Sequence, residues 1–156
     1  MRDSQSLLEQ LLAVAEGVVT AEDVNSLLGL APADRLGRLV EHLVARDASA
    51  ALEEFDAAQD GGVEVGQFPD QLVGYFRDVM MSCVGGSANQ VLYALPSQAD
   101  ELVRFGQELG IHTVLAILQI LDQTAARLRL SVHGRTLVEM ALVRICNLED
   151  LEDLNP

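Results

Sequence analysis

The side chains that could carry catalysis or hold a metal are few, and their spacing matches neither a metal site nor a catalytic triad. Glu108 and His112 lie four residues apart across Gly110, whereas a carboxylate-bridged metal pair requires Glu-x-x-His on each of two helices. His42 borders an apolar helical stripe, where a half-buried structural histidine is the common case. His133 falls in a predicted loop. We therefore predict no catalytic residue and no metal site in this chain.

The cysteines and the basic residues exclude further chemistries. Cys83 and Cys146 stand alone in apolar helical patterns without a CxxC motif, so we expect them to be packing residues. All ten basic residues are arginines. Without lysine the chain lacks the amine on which P-loop and Schiff-base chemistry depend. The pair Gly85-Gly86 is accordingly interpreted as a flexible connector.

The net charge of the chain limits the classes of molecule that it is expected to bind. The 156 residues include 24 acidic and 10 basic ones, a formal net charge of −14. This is opposite in sign to the basic surface of a nucleic-acid-binding protein, so we predict no direct binding to nucleic acid. Residues 149–154 are acidic, which is typical of a solvated helix end, with a docking tail for a basic partner as the alternative.

Membrane insertion and export are also not expected. No apolar run approaches the roughly 20 residues of a membrane-spanning helix. Residues 1–5 lack the basic region and the cleavage site of a signal peptide. We therefore predict a cytoplasmic location.

The elements that must position any site are all predicted to be helices. Apolar residues recur at spacings of three and four through nearly the whole chain, and no alternating strand pattern is present. The predicted fold class is therefore all-α. Val91 to Leu95 is the least regular part, interpreted as a short apolar segment lying against the bundle.

Several boundaries can be assigned from capping chemistry. Thr20 and Asp47 are predicted N-caps, and Ser97 with acids three and four residues later predicts a capping box. Pro32 follows Leu30-Ala31 and suits the first turn of a new helix. We place a subdomain boundary between residues 31 and 32.

The helix predicted from about His112 to Leu128 carries apolar residues on more than one face. Such coverage is what full burial in a central core helix requires, and a helix that also contacts a neighbouring subunit is the alternative. For the second interpretation the candidate interface residues are Val114, Leu115, Ile117, Leu118 and Leu121.

Two stretches carry a family resemblance. Residues 1–12 read MRDSQSLLEQLL and residues 19–29 read VTAEDVNSLLG. They resemble the lid of the bacterial DNA polymerase III gamma/tau subunits, AAA+ ATPases of the clamp loader, with Glu9 in place of the usual Asp. Residues 48–62 and the stretch RTLVEMALVRI at 135–145 are similar, more diffusely, to the helical collar of that family.

The resemblance implies an organisation and a function. Residues 1–31 would be the C-terminal part of the AAA+ lid (domain II), a two-helix remnant, and residues 32–156 the helical collar, an oligomerisation domain (domain III). The chain would then be a piece of a longer protein whose N-terminal domain binds ATP and magnesium and holds zinc in a cysteine cluster. Arg2 would be the sensor-2 arginine, which contacts the nucleotide phosphates.

The implied partners are other gamma/tau copies, delta and delta-prime, in the complex that uses ATP to load the sliding clamp during DNA replication. Two alternatives stay open. A stand-alone acidic all-α adaptor would bind a basic protein partner. An enzyme would need perturbed carboxylates converging on a pocket, and the sequence shows no such spacing.

Overall fold

A computed structural model describes Glu9, residues 19–86 and residues 90–149. These residues form helices and no strand, which confirms the all-α prediction. The helices are α1 (Ala21–Leu27), α2 (Ala33–Val44), α3 (Ala48–Asp60), α4 (Gln67–Cys83), α5 (Ala99–Leu109), α6 (Ile111–Leu128) and α7 (Gly134–Cys146), with a 3-10 turn at Pro96–Gln98. Apart from Glu9, the first predicted helix lies outside the described residues.

Helix length and apolar composition decide whether a segment could span a membrane. No helix in the described ranges is by itself long and apolar enough to cross a bilayer. The segments Pro96–Leu109 and Ile111–Leu128 pass only as a pair, bent by 102°.

Two of the predicted helix caps are confirmed. The Thr20 hydroxyl accepts a hydrogen bond from the backbone N–H of Asp23, and the Asp23 carboxylate accepts one from the Thr20 N–H at 3.0 Å. The Thr20 N–H and the Thr20 hydroxyl, which donates to the same carboxylate at 2.9 Å, hold the pKa of Asp23 below its usual range. Asp47 caps α3 by accepting from the Ala50 N–H at 3.0 Å.

The capping box predicted at Ser97 is wrong. Helix α5 begins at Ala99, and its N-cap, Gln98, makes no capping hydrogen bond with its side chain. Gln98 instead reaches back, and its Oε1 accepts from the Leu95 N–H at 2.9 Å. Because Pro96 starts a tight 3-10 turn, Ser97 lies inside that turn and cannot be the N-cap.

The core is centred on α4 and α6, which run antiparallel. The start of α4 and the end of α6 line one cleft, and the end of α4 and the start of α6 line another. Phe55 of α3 and Phe68 of α4 meet edge to face, with ring centroids 4.8 Å apart. Cys146 is buried, as predicted, whereas Cys83 is half-buried. Burial raises the pKa of the Cys146 thiol, which favours its unreactive form.

The connection between α1 and α2 is fastened to the bundle. Gly29 has a positive φ of 68°, and its carbonyl accepts from the Glu64 N–H at 2.9 Å. The Gln71 side chain pairs with both backbone groups of Ala31, at 2.9 and 3.0 Å. The segment that leads into the predicted domain boundary is therefore held by α4, while the boundary at 31/32 itself stays a prediction.

Candidate association surface

Helix α6 has a core face and an outward face, and the five candidate interface residues divide between them. Val114, Ile117 and Leu121 are at most 1% exposed and belong to the core of this chain. Leu115 is 46% exposed, and Leu118 is half-buried at the edge of the core. Of the five, Leu115 and Leu118 are therefore placed to meet a neighbour, and their role in assembly stays a prediction.

A cleft lies beside the outward face of α6, where the end of α4, α5 and the start of α6 meet. Its volume is about 390 Å³, and its lining residues are Ser82, Cys83, Val103, Gly106, Gln107, Gly110 and Ile111. The close approach of α5 to α4 depends on Gly106, because a Cβ at that position would lie 2.8 Å from the Cys83 sulfur. Val103, on the rim, is 46% exposed.

A second cleft, of about 140 Å³, shares Ser82 and Val103 with the first and extends to Val91. The two clefts therefore lie side by side. We name as the corner surface the apolar residues that border the larger cleft and the outward face of α6. They are Val103 and Ile111 in the cleft lining, Leu115 and Leu118 on α6, and the exposed Val84, which directly follows the cleft-lining Cys83.

Residues 90–95, named here loop 90–95, reach the corner surface through Val91, which lines the smaller cleft together with Val103. The loop backbone is held by Asp78 of α4, whose side chain is fully buried. The carboxylate accepts hydrogen bonds from the backbone N–H groups of Leu92, Tyr93 and Ala94, at 3.0, 2.8 and 2.7 Å. Three consecutive amides are thus bound by one side chain.

Arg77 completes this anchor. Its guanidinium donates to an Asp78 carboxylate oxygen at 2.9 Å and also to the carbonyl oxygen of Gln90. Burial by itself raises the pKa of Asp78, but the three amides and Arg77 together lower it further than burial raises it. The carboxylate is therefore held in its charged form.

The role of Asp78 was not predicted from the sequence. Val91 to Leu95 does lie against the bundle through its backbone, as predicted, but Leu92 and Tyr93 are 66% and 65% exposed. The available signal was a charge beside the apolar stripe of α4, three residues after Tyr75 and directly before Val79. A buried charge at such a position requires partners, and these came from a distant loop.

The remaining candidates lie apart from this surface. Arg2 is outside the described residues. Arg135 pairs with Glu139 at 2.7 Å and also with Asp56 at 2.5 Å. Over the described ranges, no three His, Cys, Asp or Glu residues come together in a way that could hold a metal ion.

Comparison with known proteins agrees with the family resemblance. The family profile described as DNA polymerase III subunits gamma and tau domain III matches residues 19–155. DNA polymerase III subunit tau of Bacillus subtilis is 24% identical over 147 residues, covering 94% of this chain and 26% of the relative. The gamma/tau subunit of Mycobacterium tuberculosis is 27% identical over 147 residues, covering 92% of this chain and 25% of the relative.

The chain therefore spans about a quarter of the length of these curated relatives. The profile match begins at residue 19 and so includes α1, which the sequence interpretation assigned to the lid. It extends over all seven helices. This chain belongs to the family of domain III of the gamma and tau subunits of DNA polymerase III.

Proposed function

We propose that this domain is the collar through which a gamma/tau chain assembles with the other subunits of the clamp loader, the complex that uses ATP to load the sliding clamp during DNA replication. Family membership supports a place within DNA polymerase III. The corner surface supports association as the work of this domain, because large apolar side chains exposed around a cleft are a feature of interaction sites.

The proposal includes the partners and the parent protein. The partners are other gamma/tau copies, delta and delta-prime, and the acidic domain itself makes no direct contact with DNA. ATP and magnesium bind in an N-terminal domain of the parent, which also holds zinc, and Arg2 contacts the nucleotide there as sensor 2. These assignments follow from the resemblance of residues 1–12 and 19–29 to the lid. The complex works in the cytoplasm.

The observation that carries the proposal is the placement of apolar side chains at the corner. Val84, Val103 and Leu115 are 64%, 46% and 46% exposed, and they come from three different elements. The cleft between α5 and α6 gives a partner side chain a recess to enter. A recess with apolar rims fits the centre of a protein interface, where anchoring side chains insert into pockets.

The test is assembly with cognate subunits. The chain is co-expressed with delta and delta-prime of the same organism, and complexes are measured by sedimentation velocity. We expect the wild-type chain to form a complex and Leu115→Glu to weaken it at least about tenfold, since a charge would be buried at the interface. Circular dichroism should show an unchanged helical fold, because Leu115 is exposed in the free chain.

Met140→Glu is the matched control. Met140 is 51% exposed and lies on α7, which packs on α2, α3 and α6. No residue of α7, which lies wholly within the described ranges, lines the larger cleft. Equal weakening by both variants would contradict the assignment of the surface. A wild-type chain that binds none of the subunits would contradict the proposed function.

A further inference from the structure

Loop 90–95 combines exposed apolar side chains with an unusually well fixed backbone. Leu92, Tyr93 and Leu95 are 66%, 65% and 49% exposed. Yet the backbone of every residue from Leu92 to Leu95 donates to a side chain, three to Asp78 and the last to Gln98. The Gln90 carbonyl is held by Arg77.

The Tyr93 ring is positioned as well. It lies over Gly74 of α4, where a Cβ would come within 2.7 Å of two ring carbons. Because Gly74 has no side chain, the Tyr93 ring can pack closely against the backbone of α4. One edge of the ring contacts α4, and most of its surface faces solvent.

A loop that connects two helices does not need a buried carboxylate to hold its backbone. A surface turn can satisfy its amides with water, whereas burying a carboxylate is costly unless it is fully hydrogen-bonded. The result of the buried anchor is a rigid backbone that displays an aromatic and two leucine side chains. Rigid display lowers the conformational entropy lost on binding, and aromatic side chains are frequent anchors at interfaces.

The charges beside the loop indicate what kind of surface it meets. Asp100 is exposed and lines the smaller cleft together with Val91. The nearby positive charge of Arg77 is paired with Asp78. A second copy that met this loop with the same face would bring the same acidic border, and with 10 basic residues against 24 acidic ones this chain offers few side chains to pair with Asp100.

We propose that loop 90–95 is a preorganised docking element for a non-identical subunit, one that presents an apolar recess bordered by basic side chains. The proposal rests on the proposed function, since it names the kind of partner that extends the corner surface. Leu92 and Tyr93 enter the recess, and Asp100 faces the basic border. Asp78 acts as a positioning residue that contacts the loop and not the partner.

The first test changes the displayed side chain. Binding of the chain to purified delta and delta-prime is measured by sedimentation velocity and by biolayer interferometry. Leu92→Asp should weaken binding at least about tenfold. Leu130→Asp is the control, because Leu130 is 92% exposed, lies in a different loop and lines neither of the two clefts beside the corner surface. Unchanged binding by Leu92→Asp, or equal loss by Leu130→Asp, would overturn the proposal.

The second test separates positioning from contact. Asp78→Asn keeps the size of the side chain but removes its charge, so the amides of Leu92, Tyr93 and Ala94 should exchange hydrogen faster and binding should weaken. Leu92→Asp should weaken binding without faster amide exchange. If Asp78→Asn frees the loop and binding is unchanged, the loop has no docking role. If Asp78→Asn does not fold, Leu92→Asp decides alone, because that side chain is exposed.

The third test addresses the partner. Asp100→Arg should slow association, and added salt should slow the wild-type chain more than this variant. An unchanged association rate would contradict the proposal that the partner carries basic side chains opposite Asp100. If the wild-type chain instead forms homodimers that Leu92→Asp dissociates, the partner is a second copy and the non-identical subunit is excluded.

These outcomes are distinct from failure of the proposed function. If Leu115→Glu breaks the complex and Leu92→Asp does not, the collar function stands and the docking role of the loop falls. If the wild-type chain binds no subunit at all, the proposed function falls and the docking role falls with it.

Discussion

Two loops of this domain expose large apolar side chains, and they differ in what holds their backbones. Loop 90–95 is fixed by Asp78, Arg77 and Gln98, over sequence distances of up to 16 residues. The other loop, residues 130–133 between α6 and α7, exposes Leu130 and Val132 at 92% each. Over the described part of the chain, its hydrogen bonds reach no further than four residues.

The docking role proposed for loop 90–95 rests on this difference, because both loops expose large apolar side chains and, among the residues that the structure describes, only one has a backbone fixed by distant side chains. Leu130 and Val132 are more exposed than Leu92, but the hydrogen bonds of their loop within the described residues are all local, so we expect the cost of ordering that loop to oppose binding. Loop 90–95 is already ordered by a buried charge. Exposed apolar side chains on a fixed backbone are the stronger indication of a docking site.

The largest expected effect comes from removing the anchor itself. Asp78→Ala leaves three backbone amides without their acceptor, so we expect a loss of about 3 kcal/mol in the free energy of unfolding. Ser131→Ala removes the hydrogen bond to His133 in the other loop and should change stability by less than about 0.5 kcal/mol. Urea unfolding of both variants measures the difference. Equal losses would show that the two loops are held alike.

A smaller effect is expected from the glycine beside each loop. Gly74→Ala would place a Cβ 2.7 Å from the Tyr93 ring and should cost about 1–2 kcal/mol. At Gly134 the nearest atom to an added Cβ is the flexible end of Leu128, at 3.1 Å, so Gly134→Ala should be within about 0.5 kcal/mol of neutral. Thermal unfolding compares them. A neutral Gly74→Ala would mean that the Tyr93 ring is not seated on α4.

The smallest effect is a dependence on pH. Since the folded pKa of Asp78 lies below its unfolded value of about 3.9, its charge stabilises the fold above that pH. The contribution is lost as the pH falls through the folded pKa. The stability difference between wild type and Asp78→Asn should therefore hold from neutral pH to about pH 4 and shrink below it. The difference for Ser131→Ala should not change over this range, and a constant difference for Asp78→Asn would contradict the charged anchor.

What the sequence could predict depended on the range of the interactions. Helices follow from apolar spacing, and the caps at Thr20 and Asp47 involve partners three residues away. The prediction of a cap at Ser97 was wrong because Pro96 starts a 3-10 turn that contains Ser97, and Gln98 reaches back to the Leu95 N–H. Each of these outcomes is local.

The candidate surface depends on contacts between residues that are far apart in the sequence. Wide apolar coverage on α6 could not separate Val114 from Leu115, since that division is set by which neighbours pack on the helix. The role of Asp78 required contacts 14 to 16 residues away, across a loop whose composition gives no register. Periodicity carries no information about such pairings.

The most direct test of the difference between the loops is amide hydrogen exchange in the free chain, measured residue by residue by NMR. If Asp78 fixes loop 90–95 before any partner binds, the amides of Leu92, Tyr93 and Ala94 should exchange nearly as slowly as those inside α4, and the amides of residues 130–133 should exchange at close to unprotected rates. Equally fast exchange in both loops would contradict a preorganised docking element.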